Sequence, residues 1–156
     1  MASRVYTIPI APAAQTAAQD FWAIVSAAGK VTKLAGMHLF QTTDLGDAAE
    51  EVLRIRIRAG QTTVGSGGSA PTPIPNNVTD AAAGFTARIN DTTQASAGTI
   101  VVHAEMGWNI RTAPDFWLPP QYTFEFTGGR RWTIEFPAAP TDSITVGGTL
   151  WVEEIG

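Results

Sequence analysis

His38 and His103 are the only imidazoles in this chain, and cysteine is absent. Thiolate metal sites, disulfides and thiol nucleophiles are therefore excluded at the outset. His103 and Glu105 stand two residues apart and share a face in an extended strand. Such a pair could give two ligands to a metal or form an acid–base couple, yet either role needs a third group that no recognised spacing supplies. The alternative is an exposed polar sheet face. Adjacent carboxylates at Glu50-Glu51 and Glu153-Glu154 raise glycoside hydrolysis, in which two carboxyl groups flank the scissile bond. Neighbours on a strand point to opposite faces, so neither pair can do this. A solvated edge or a partner arginine is the better expectation. Ser26, His103 and Asp115 hold the residue types of a nucleophilic triad, but no nucleophile elbow surrounds a serine. The reading expects no catalytic residue, no cofactor and no metal.

Binding chemistry is the remaining source of function. Gly65-Ser66-Gly67-Gly68-Ser69-Ala70 fits a permissive dinucleotide fingerprint, but Pro71, Pro73 and Pro75 follow at once. No helix can open there, so a phosphate would find no amide crown. Gly29-Lys30 is followed by Val31, which excludes a P-loop. Arg54, Arg56 and Arg58 alternate with Leu53, Ile55 and Ile57 and form a positive stripe. The stripe suits an acidic subunit surface or a sulfated or phosphorylated ligand. More often such a stripe forms ion pairs across to neighbouring strands, here with Glu125, Glu135 or Glu153, within the chain or between subunits. Trp22, Trp132 and Trp151 fall in strands and are expected in the core, whereas Trp108 and Trp117 lie beside Gly107 and Pro119-Pro120, near loops. Exposed tryptophans of that kind can stack on sugars or anchor an interface, or can lid the core. No cluster of Asn, Asp and Gln flanks either one in the chain.

The elements that must position these residues are strands. Leu53, Ile55 and Ile57 face one way and the three arginines the other, a period of two that a helix would scatter. Tyr122, Phe124 and Phe126 alternate similarly, as do Trp132, Ile134 and Phe136, and Gly128-Gly129 between them reads as a hairpin turn. Further strands are expected over 5–10, 21–26, 31–41, 99–105, 144–146 and 150–153, with Gly147-Gly148 turning the chain before the last. Short helical turns are expected at Asp47 to Val52 and at Asp80 to Ala83. Asn77-Val78-Thr79 and Asn90-Asp91-Thr92 match the glycosylation triplet and read as loops. The fold expected is all-β: one antiparallel sandwich of jelly-roll type over residues 1–156. Its one long irregular stretch is 60–80, where Gly65, Gly67, Pro71, Pro73 and Pro75 mark an extended arm that reaches over a neighbouring subunit, or a surface loop.

With 156 residues, 44% of them apolar, and with 5 Trp and 7 Phe, the chain can bury a core without a staple. A net charge of −4 argues against nucleic acid as a partner, because phosphate binding needs surplus Lys and Arg. No window is long and apolar enough for a spanning helix, and Pro9, Pro12, Gln15, Gln19 and Asp20 interrupt anything like a signal peptide. Neither a membrane partner nor export is expected.

Taken in order, VYTIPIAP, LGDAAEEVLRIRIRAGQTTVGSGGSAPTPIP, DAAAGFTARIND and FPAAPTDSITVGGTLWVEEIG cover most of the chain and resemble a family of small proteins encoded in the structural-gene regions of tailed bacteriophages and prophages. These motifs are structural and carry no catalytic residue. The resemblance implies a multimeric virion component built on a β-sandwich and assembled in the host bacterial cytoplasm. Within a virion the expectation is a head-decoration (cement) protein, a homotrimer bound to the major capsid protein or another virion protein. A trimer sets identical patches around local three-fold axes, so one small domain can clamp several capsid subunits. The alternative is a sandwich associated with a tail or head fibre that recognises a cell-surface carbohydrate.

Overall fold

The structure, a computed structural model, describes residues 3–43 and 51–156. It contains eleven strands: β1 (Ser3–Gln15), β2 (Gln19–Val25), β3 (Val31–Gln41), β4 (Val52–Thr63), β5 (Ile74–Pro75), β6 (Thr86–Asp91), β7 (Ser96–Asn109), β8 (Asp115–Trp117), β9 (Glu125–Thr127), β10 (Arg131–Phe136) and β11 (Ile144–Ile155). One sheet runs β5-β1-β11-β3-β8 with β9 also on β3, and the other runs β6-β2-β10-β4-β7. All pairings are antiparallel: β1 with β11, β2 with β10, β3 with β8 and β9, β4 with β7. The chain is thus one long hairpin rolled up so that successive arms fall into opposite sheets, which is the jelly-roll arrangement. Among the described residues no helix is long and apolar enough to cross a membrane.

Alternation builds the core. Tyr6, Ile8 and Ile10 of β1, Leu34, Met37 and Leu39 of β3, and Leu150 and Val152 of β11 face Trp22, Ile24, Leu53, Ile55, Ile57, Trp132 and Ile134 of the other sheet. Trp22 Nε1 donates to Ile8 O (3.1 Å) and Trp132 Nε1 to Thr32 Oγ1 (3.0 Å), so the indoles bury their rings without stranding a donor. Trp132 stacks on Phe126 at 4.9 Å across the sheets.

Several expectations are corrected. Gly128-Gly129 does turn the chain, with Gly129 at φ +75° and Arg130 N bonded to Thr127 O, but β9 and β10 join different sheets. The turn is an arch between layers and not a hairpin. The strand expected from Tyr122 starts only at Glu125, because Pro120–Tyr122 is a short 3-10 turn and Tyr122 is exposed. Gly147-Gly148 does not turn: β11 runs straight through, and a Cβ on Gly148 would meet His38 O and the Trp22 ring. Asp80 to Ala83 is not helical, and residues 47–50 of the other expected turn lie outside the described ones. Asn90 and Asp91 end a strand, β6, that alternation alone did not mark.

The stretch 60–80 also differs from a projecting arm. Residues 60–63 complete β4, whose Thr63 pairs with Ser96 of β7, so 64–95 is an excursion between the two arms of one hairpin. Ser69 bonds Ile89 in both directions (2.9 and 3.0 Å), and Ile74–Pro75 pairs with Tyr6 and Thr7 of β1. The excursion is a strap across the side of the sandwich, lying on the edges of both sheets.

Candidate functional site

The arginine stripe folds into ion pairs within the chain. Arg54 reaches the exposed Glu105 (2.6 Å), while Arg56 Nε donates to Glu135 Oε1 at 2.8 Å and Arg58 pairs with the other Glu135 oxygen. Glu135 and Asp20 are both fully buried on the outer face of their sheet. What covers them is the end of the strap: Ala95 N donates to Asp20 Oδ2 (2.7 Å) and Gln94 Nε2 to Glu135 Oε2 (2.9 Å). Burial, reinforced by the Glu135 charge and opposed by Ala95 N–H and Arg58, pushes the Asp20 carboxyl up to about 7. Glu135 was one of three partners the sequence offered. Asp20 was missed, because only a bulge between Ile134 and Glu135 brings it beside that glutamate.

Strap residues expected at an interface contact their own chain. A Cβ on Gly65 would meet Thr93 O and the Asp91 carboxylate, and Gly67, at φ +92°, would meet Thr92 Oγ1. These glycines let backbone lie tightly on backbone. Pro73 is buried, and Pro71 and Pro75 are half-buried. Trp108 takes the core-lidding role and not the exposed one: at the end of β7, its indole N–H donates to Thr112 O of the following loop, and the ring is 1% exposed and stacks on Phe136 at 5.9 Å.

His103 and Glu105 do not share a face. A bulge at His103, between the pairs Ile57–Ala104 and Arg58–Val102, sets the imidazole, still exposed, against the Phe126 ring at 5.3 Å, while Glu105 points out to Arg54. The triad types are also dispersed, since Ser26 binds Thr32 and Phe126 O, and Asp115 binds His38. Glu153 and Glu154 point apart as expected, but Glu154 is buried, held by Lys30 (2.8 Å) and by the amides of Gly84 and Phe85. Among the described residues no group of three His, Asp or Glu is placed to hold a metal.

Trp117 is different. It is 57% exposed on the outer face of the first sheet, and its ring lies over Gly36, where any Cβ would overlap it. Trp151, opposite Gly36 in the register and not in the core as expected, sits 4.8 Å away at 34°. Outward residues of the neighbouring strands surround the rings: His38 paired with Asp115, Lys33 with Glu125 (2.6 Å), and Glu153, which accepts from Ser3. The bond to Glu125 raises the Lys33 pKa, keeping it cationic. Beside the rings, Lys33, Ala35, Leu118, Pro120, Thr123 and Glu153 line a shallow cavity of about 280 Å³.

No protein-family model matches the chain, and neither a curated protein nor a solved structure resembles it closely enough to count as a match.

Proposed function

We propose that this chain is a non-enzymatic structural protein of a tailed-phage virion, a head-decoration protein that assembles in the bacterial cytoplasm and binds the capsid surface as a homotrimer, against the major capsid protein or another virion protein. The observation that carries the reading is the β7 edge. β7 pairs with β4 on one side from Asn109 to Ser96, and no described strand lies on its other side. It presents Val101 and Val102, 47% and 46% exposed. Free backbone groups beside β-branched side chains are a template for another chain. The other margins are shorter or interrupted: β5 covers β1 at Tyr6 and Thr7, where β1 carries Pro9 and Pro12 just beyond, β6 is bonded by the strap at Ser69, and β8 and β9 have three residues each. A long uninterrupted edge of this kind favours a contact with a different patch on the next copy, and such contacts close into a ring if the rotation is a third of a turn. Jelly rolls serve both viral capsids and lectins, so the fold is compatible with this reading without selecting it.

Sedimentation at tens of micromolar and electron microscopy of particles test the proposal. The expected results are a trimer, its loss on Val101→Lys with Val102→Lys, and many copies on the shell. A monomer that is absent from shells would sink it.

A further inference from the structure

We propose that the Trp117–Trp151 surface is a binding site for a neutral pyranose sugar. The site lies within a single chain and does not depend on where a particle carries it. Trp117 is held in place: its ring lies over Gly36, which has no side chain to displace it, and it remains 57% exposed to solvent. Trp151, on β11, packs against it with ring centroids 4.8 Å apart at 34° and buttresses it from the other side of Gly36. A large exposed apolar ring beside a second one is an unusual surface to leave uncovered unless it has a ligand.

The surroundings select the ligand class. Along β11 the outward residues are Thr149, Trp151 and Glu153, and across the register stand His38 opposite Thr149 and Lys33 opposite Glu153. The aromatic pair is thus bounded on both sides by hydrogen-bonding groups. A pyranose fits this pattern, because one face presents C–H bonds to an aromatic plane while its rim of hydroxyls both donates and accepts. Asp115, Glu125 and Glu153 accept, and Lys33 donates; each carboxylate has lone pairs beyond its present bond. Three carboxylates against Lys33 and His38 repel anionic sugars and leave neutral ones. The adjoining cavity of about 280 Å³, walled by Lys33 and Glu153, can take a second ring of the same glycan.

Indole fluorescence and acrylamide quenching of the purified protein, titrated with cellotetraose, chitotetraose and a galacto-oligosaccharide, test this. A sialyl-oligosaccharide and oligogalacturonate serve as anionic comparisons. Trp22, Trp108 and Trp132 are buried, so the response reports on Trp117 and Trp151. At least one neutral glycan is expected to saturate with a dissociation constant of about 0.1–1 mM and to shield the exposed indoles from quencher. Trp117→Ala is expected to weaken binding at least about tenfold and Trp117→Phe by less, since a ring remains. No saturable response to the neutral glycans, unchanged binding by Trp117→Ala, or a preference for the anionic glycans overturns the proposal. Should Trp117→Ala fail to fold, quencher protection in the native chain still decides it.

Discussion

At Asp20 the chemistry of a single carboxyl sets a pH dependence. Its pKa in the folded chain is about 7, against 3.8 for the free side chain. Between those values the folded state holds a proton that the unfolded state has released, so stability falls as pH rises from about 4 through 7. The groups facing it are Glu135, Arg58 and the Ala95 amide, with Arg56 on the far side of Glu135. Asp20→Asn keeps an oxygen for Ala95 N–H and offers N–H to Glu135, with no proton to lose. It is expected to flatten the slope and to gain about 1–3 kcal/mol at pH 8, measured by urea unfolding at pH 5 and pH 8. An unchanged slope would mean that Asp20 is ionised throughout.

Among the elements, β11 and the strap show how backbone proximity governs sequence. Gly148 lies inside β11 against His38 O and Leu39. Because the obstacle includes backbone of the paired strand, Gly148→Val cannot be relieved by a rotamer change and is expected to cost about 2–4 kcal/mol in urea melts. The first part of the strap, 64 to 85, joins both sheet edges and brings Phe85 to a buried place against Tyr6, rings 5.4 Å apart. As a free arm it would be expendable, since closing a shorter loop costs little. As a strap it is not: deleting Gly65 to Pro73 removes the Ser69 bonds and leaves too little chain to carry Ile74 to β1. The expected outcome is a melting temperature lower by about 5–10 °C, read by circular dichroism, corresponding to roughly 2 kcal/mol or more. An unchanged melt would show that the strap contributes nothing to the fold.

For the whole molecule, the pairing of Ser3 with Ile155 puts β1 and β11, far apart in sequence, side by side in the middle of the first sheet. With β2, β4 and β10 packed on the same core, no part has a separate interior. Unfolding followed by far-ultraviolet circular dichroism and by indole fluorescence is expected to trace one coincident transition. Refolding is expected on a scale of about milliseconds to seconds, because distant strands must meet before burial compensates the entropy of closing the chain. Non-coincident transitions would mean that one sheet persists without the other.

The alternation of Leu53, Ile55 and Ile57 with three arginines made the sandwich legible from the chain alone, because a strand's period of two is written locally. The same pattern implied that Glu153 and Glu154 point apart and that Glu135 could meet the arginines. What it could not carry was position across strands. Trp117 has Asp115 as its one charged neighbour nearby in sequence, yet stands also among His38, Lys33 and Glu153, which are brought there by β3 and β11. Glycines were the most ambiguous signal, since Gly128-Gly129 turns between sheets whereas Gly147-Gly148 clears room for Phe40, Leu39 and Trp22. A missing side chain permits both a sharp bend and a close approach, and only the packing of distant segments determines which of the two a glycine performs.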